Sequence, residues 1–148
     1  SRGLVGSEMC IRDRTITLIL FQSDVHSRDL FSKAPFDSIL PHEEAFQLNI
    51  NVNAERITLI FKIKDDYYIY RDSVLLTHDG ERLDFIFKET DWRITNDQFL
   101  GTQEVAFKKI ELEINKSNID GHNTFEISYQ GCSEGTYCYP VVKKEIKI

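Results

Sequence analysis

The chain has 148 residues, with 24 acidic side chains against 18 basic ones and a formal net charge of −6. That length suits one domain able to bury its own core, and 41% hydrophobic residues with 11% aromatics exclude an intrinsically disordered chain. The acidic balance argues against nucleic acid bound through phosphate neutralisation and against an anionic membrane surface; of the three cysteines, at least one lacks a partner within the chain.

Residues 1–14 (SRGLVGSEMCIRDR) have neither strand nor helix periodicity. They resemble translated adapter read-through at the ends of reading frames assembled from environmental DNA, in which case Met9 and Cys10 are not native; an ordinary disordered N-terminus is the alternative. Residues 15–21 (TITLILF) follow Arg12 and Arg14 and precede Gln22, Ser23 and Asp24. They read as the tail of a secretory signal peptide rather than a first β-strand, because polar residues follow and no turn chemistry returns the chain. Residues 1–27 are thus expected to be a non-native leader and signal remnant, disordered or cleaved, and residues 28–148 the domain. No other segment approaches a transmembrane length.

The remainder is dense with short strands. Pro41 to Phe46 can supply one helical turn. Phe46, Leu48, Ile50 and Val52 then alternate, as do Ile57, Leu59, Phe61 and Ile63. This period of two marks half-buried strands. Leu83, Phe85 and Phe87 repeat it, followed by Ile110, Leu112 and Ile114, by Phe125, Ile127 and Tyr129, and by Val142, Ile146 and Ile148. Val105 and Phe107 have the opposite parity to Ile110. The apolar face therefore switches between Lys108 and Lys109, as at a β-bulge or a crossing between sheets. Turn residues punctuate the strands at Asp65-Asp66, His78-Asp79-Gly80, residues 115–118 and residues 120–123. The pattern predicts an all-β sandwich or barrel without long helices.

Chemistry concentrates in residues 129–140 (YQGCSEGTYCYP). A hairpin would bring Cys132 and Cys138 across from each other, with Cα atoms roughly 5.5–6 Å apart in disulfide geometry. Closing so short a loop stabilises a fold by only about 2 kcal/mol in the chain-entropy model. A redox-active pair and a plain structural disulfide in an exported domain both fit. A metal site is poorly supported, since two thiolates need further ligands and only His122 is near in sequence. Tyr137 and Tyr139 flank Cys138 and can shield a disulfide from stray thiols.

These residues resemble a known family, the N-terminal periplasmic domain of the bacterial thiol:disulfide interchange protein DsbD. The matching segments are Tyr129 to Cys132 with Cys138-Tyr-Pro140, residues 64–71 (KDDYYIYR), residues 40–46 (LPHEEAF) and residues 96–101 (NDQFLG), in the family's order and close to its spacing. The resemblance implies an immunoglobulin-like β-sandwich with an active-site hairpin and a cap loop. It implies that Cys132 and Cys138 are the redox pair, Cys138 forming mixed disulfides with partners and Cys132 resolving them. Phe99 matches the cap phenylalanine, as against an ordinary core aromatic. Tyr68 and Tyr70 match tyrosines near the pair, and Asp97 an acidic residue close to it. The family has Glu where this chain has Gln98, and an aromatic where it has Leu100. The first departure puts any acid/base role needing two carboxylates in question.

By the same resemblance the chain is a protein-disulfide reductase domain of a larger periplasmic enzyme, tethered to the inner membrane through segments that would follow Ile148. It needs no cofactor and no metal, and makes no membrane contact itself. Its partners would be the thioredoxin-like C-terminal domain of the same protein, periplasmic disulfide isomerases and thioredoxin-like proteins of cytochrome c maturation. The rival reading is a non-enzymatic immunoglobulin-like binding module whose disulfide is structural.

Overall fold

The computed structural model describes residues 39–148 except 120 and 122. These fall in one compact unit, Pro35–Ile148. The expected leader, residues 1–27, the start of the expected domain and His122 lie outside the described residues.

A single helical turn, α1 (His42–Ala45), enters the fold as expected and leads straight into β1 (Phe46–Val52). There follow β2 (Arg56–Ile63), β3 (Tyr67–Tyr70), β4 (Leu75–His78), β5 (Glu81–Arg82), β6 (Ile86–Phe87), β7 (Trp92–Asp97), β8 (Gly101–Ala106) and β9 (Lys109–Asn115). The last four are β10 (Thr124–Tyr129), β11 (Gly131–Ser133), β12 (Tyr137–Cys138) and β13 (Val142–Lys147). They form antiparallel sheets in the orders β1-β2-β9-β6, β13-β10-β4-β5 and β12-β11-β3-β8-β7. The architecture is an immunoglobulin-like β-sandwich.

The parity pattern explains the core. Ile57, Leu59 and Phe61 of β2 and Ile110, Leu112 and Ile114 of β9 are fully or almost fully buried, facing Leu76, Phe125, Ile127 and Ile146 in one cluster. Two expected patterns resolve differently, and a third resolves between its two expected forms. On β1 only Phe46 is fully buried, while Ile50 and Val52 are 37% and 45% exposed. Among the described residues β1 is an edge strand paired only with β2, and its C-terminal half is left exposed. The run Leu83, Phe85, Phe87 forms a ladder only at Ile86–Phe87, because β5 and β6 belong to different sheets and the chain is crossing between them. The parity switch near Lys108 is likewise a crossing rather than a bulge: β8 lies in the five-stranded sheet and β9 in the first four-stranded one.

The crossing that matters most lies at Gln130. β10 pairs with β13 in one sheet, and after a single residue β11 pairs with β12 and β3 in another. Ser73 and Gln130 stitch this bend. The Gln130 N–H donates to Ser73 Oγ at 2.9 Å, the Ser73 hydroxyl donates to the Tyr70 carbonyl at 2.7 Å, and the Tyr70 N–H donates to the Gln130 carbonyl at 3.1 Å.

Candidate active site

β3 is the central strand of the five-stranded sheet, and all four of its residues are buried. A strand buried on both faces can hold different chemistry on each. Tyr67 and Ile69 face the main core with Ala106, Phe46, Tyr129 and Tyr139. Tyr68 and Tyr70 face outward and form a separate cluster with Val105, Cys132, Cys138 and Phe107. Residues directly opposite in an antiparallel ladder share a face. Tyr68 lies opposite Cys132, and Cys132 opposite Cys138, so the three form a row across β3, β11 and β12.

Cys132 and Cys138 are joined as a disulfide, with Cα atoms 4.0 Å apart. That is closer than the hairpin expectation. The neighbouring Tyr139 N–H donates to the Gly131 carbonyl, which makes Cys132 and Cys138 a non-hydrogen-bonded pair, the closer of the two kinds in an antiparallel ladder. Cys132 is completely buried, whereas Cys138 is only half-buried. Gly131 is required by close approach: a Cβ there would meet the Phe46 ring at 2.4 Å and the Tyr68 carbonyl at 2.8 Å.

The Tyr70 hydroxyl lies 3.0 Å from Cys132 Sγ and 3.5 Å from Cys138 Sγ. Burial pushes its pKa up to about 12, so at neutral pH it keeps its single proton and can donate it either to a sulfur or to Asp97. Burial, with the bond to Asp97, pushes Tyr68 higher still.

Asp97 closes the site from the turn between β7 and β8. Its Oδ2 accepts the Tyr68 hydroxyl. Its Oδ1 accepts the backbone N–H groups of Phe99 at 2.7 Å and Leu100 at 2.9 Å. Gly101, at φ +76°, completes the turn in a conformation that other residues rarely adopt. Burial alone would raise the Asp97 carboxyl, but the Tyr68, Leu100, Phe99 and Tyr70 donors outweigh it and hold the group below the ordinary carboxylate range. The Asp97 carboxylate and both sulfurs lie within 4.8 Å of one another. A disulfide sulfur is not a thiolate ligand, so this trio could reach one metal ion only after reduction.

Of the residues singled out in the sequence, Cys132, Cys138, Tyr68, Tyr70 and Asp97 come together here. Phe99 is on the turn held by Asp97 and is 48% exposed. Tyr137 and Tyr139 do not reach the sulfurs. Strand alternation turns them to the opposite face from Cys138, where they stack on each other and Tyr139 packs edge-on against Phe46. The Tyr139 hydroxyl donates to the Leu40 carbonyl. These contacts anchor the hairpin from inside. Val105 and Phe107 wall the outer cluster instead, with Phe107 5.5 Å from Tyr68. The parity shared by Val105 and Phe107 was their only signal in the sequence.

The sequence model of the family described as "Thiol:disulfide interchange protein DsbD, N-terminal" matches residues 36–148. The thiol:disulfide interchange protein DsbD of Escherichia coli (strain K12) is 26% identical over 141 residues, covering 95% of this chain and 24% of that protein. DsbD of Shigella flexneri serotype 5b aligns with the same values. The chain thus spans about a quarter of the length of these curated relatives. Among solved structures, the Neisseria meningitidis DsbD N-terminal domain in the reduced form superposes with a TM-score of 0.65 at 27% identity, covering 78% of this chain and 93% of that one. The complex between the DsbD N-terminal and PilB N-terminal domains of the same organism matches with a TM-score of 0.53 at 24% identity, over 73% and 85% of the respective chains, and shares the fold.

Proposed function

Because the chain belongs to the DsbD N-terminal domain family, we propose that it is a periplasmic dithiol/disulfide carrier within a larger protein-disulfide reductase, working through Cys132 and Cys138. The observation that carries this reading is the asymmetry of the pair: Cys132 is wholly buried and Cys138 half-buried. An incoming protein can therefore reach Cys138 first, which supports Cys138 as the sulfur that exchanges with partners and Cys132 as the resolving one.

In the forward direction the Cys138 thiolate attacks a partner disulfide. A Cys138–partner bond forms and one partner thiolate leaves, taking a proton. The Cys132 thiolate then attacks Cys138 Sγ, which releases the second partner thiolate and restores the Cys132–Cys138 disulfide. Two electrons have passed to the partner. Reloading runs the same steps backward, with a donor thiolate attacking Cys138 and Cys132 leaving. The Tyr70 hydroxyl, within reach of both sulfurs, can donate to whichever one carries negative charge. The Asp97 carboxylate lies within 4.8 Å of both sulfurs, and its negative charge opposes a second negative charge on either one, which would restrain the reduced pair from reacting with stray oxidants. Phe99, on the turn held by Asp97, is the cap over the pair.

The donor would be the thioredoxin-like C-terminal domain of the same protein. Acceptors would be periplasmic disulfide isomerases and thioredoxin-like proteins of cytochrome c maturation. A complex between a DsbD N-terminal domain and a PilB N-terminal domain supports exchange with folded protein domains of this kind. Among the described residues no helix is long and apolar enough to cross a membrane, and a tether would come from further segments of a longer protein.

Cys132→Ala should trap a disulfide-linked complex with a thioredoxin-like partner through Cys138, visible on non-reducing gels and lost on reduction. Cys138→Ala should trap none. If neither variant traps a partner and the wild-type potential falls below about −300 mV, the disulfide is structural and the binding-module reading replaces this one.

A further inference from the structure

The turn that carries Asp97 and Phe99 sits at the tip of a long arm. β7 and β8 pair with each other from Trp92 opposite Ala106 to Asp97 opposite Gly101. Among the described residues β8 joins the rest of the sheet only where Ile69 lies opposite Ala106 and Tyr70 opposite Val105. Among the described residues β7 is the edge strand and has no other ladder. Residues 101–104 of β8 and their partners on β7 therefore project beyond the last rung to β3. A two-stranded ribbon fixed by so short a ladder swings easily unless side chains hold its base. At the tip, the Asp97 carboxylate accepts the Tyr68 hydroxyl and so ties the arm back to β3.

One side chain meets both strands near the base of this arm. Arg71 directly follows Tyr70. Its Nη1 lies 2.6 Å from Glu104 Oε2 on β8. Its guanidinium stands 5.4 Å from the ring centroid of Trp92, the first residue of β7, and 5.6 Å from that of Phe87 on β6. Phe87 and Trp92 are packed edge to face, 4.9 Å apart. A planar guanidinium can stack on rings and donate to a carboxylate at the same time, which an ammonium cannot do as well.

We infer that Arg71 is a positioning residue that sets the angle of the β7–β8 arm, and so fixes where Asp97 and Phe99 stand relative to the sulfurs. Arg71 touches neither sulfur. It acts through Glu104 and Trp92, and its backbone continues from the strand whose Tyr70 hydroxyl reaches both cysteines. The tie makes the redox strand and the cap arm one mechanical unit. This inference rests on the reading of the Phe99 turn as the cap over the pair.

The test compares Arg71→Met, which keeps the stem but removes the fork, with wild type and Arg71→Lys. Two rates are read on the folded chain: hydrogen exchange at the Phe99 and Leu100 amides, and alkylation of the reduced pair by iodoacetamide. Arg71→Met should speed both by about fivefold, the scale expected from losing a partly exposed ion pair and a cation–π contact. Arg71→Lys should fall between it and wild type. Unchanged exchange at Phe99 and Leu100 in Arg71→Met overturns the anchor, whatever happens to alkylation. Faster exchange with unchanged alkylation upholds the anchor and instead removes the cap reading on which the role at the sulfurs depends. Should Arg71→Met fail to fold, Glu104→Gln carries the same test, since it breaks the ion pair and leaves the guanidinium on its rings.

Discussion

Asp97 carries three jobs on one carboxylate. One oxygen satisfies Tyr68, the other organises the turn at Phe99 and Leu100, and the charge lies near both sulfurs. Because its folded pKa is depressed, its contribution to stability is fully present above about pH 4, where an ordinary aspartate titrates. It is lost as pH falls through the lower folded value. Asp97→Asn keeps one acceptor for the turn, but its amide faces the Tyr68 hydroxyl with the wrong polarity. The variant should lose about 1–3 kcal/mol at neutral pH, the cost of spoiling a buried charged hydrogen bond. Its denaturation midpoint should also depend less on pH through the acid range. The reduced pair should alkylate faster at neutral pH, since the repulsive charge is gone. An acid limb identical to wild type would show that Asp97 is not the group responsible.

The two hairpins that meet at the site were unequally legible in the sequence. Cys132 and Cys138, either side of Gly135, announced their own turn, and the alternation of Tyr68 and Tyr70 placed them on a shared face. Parity cannot say which face, however. Tyr137 and Tyr139 bracket Cys138 in sequence yet point away from it, and only the position of β3 between two layers decides this. Glu104, Trp92 and Arg71 come together through the pairing of β3, β8 and β7 in one sheet, which leaves no local pattern. The loop at residues 96–101 was legible only through the family resemblance, and the arm that carries it was not legible at all. That arm bears on how Phe99 works. A residue 48% exposed contributes little packing, so Phe99→Ala should lower stability only slightly, by less than about 1 kcal/mol. If the ring is a cap, the same variant should raise the rate at which small thiols attack the disulfide several-fold. A large stability loss with an unchanged thiol rate would make Phe99 a packing residue instead.

At the scale of the whole molecule, the sandwich is held by aromatic rings that bridge its layers, and many are tyrosines. Phe46 packs edge-on against Tyr67, Tyr129 and Tyr139, while Phe61 meets Tyr129 at 4.8 Å. The strand parities made this core legible, since Phe61, Phe125 and Tyr129 fall on the inward side of their own runs. The hydroxyls are a separate matter. Burial is the first cause that raises Tyr68, Tyr70, Tyr129 and Tyr139 above the ordinary value of 10.0, with Tyr70 and Tyr129 reaching about 12. A group with a raised folded pKa contributes stability that is complete below its unfolded pKa and disappears as pH climbs through the folded one. The domain should therefore hold its stability up to about pH 10, the ordinary tyrosine range, and weaken steeply above it. Tyrosinate absorbance from the buried rings should rise together with loss of the fold rather than before it. Tyr129→Phe separates ring from hydroxyl: it keeps the contacts with Phe46 and Phe61, so it should cost little at neutral pH and soften the alkaline loss. Titration of these tyrosines at their ordinary value while the strands persist would mean that the rings are wetter than their burial implies.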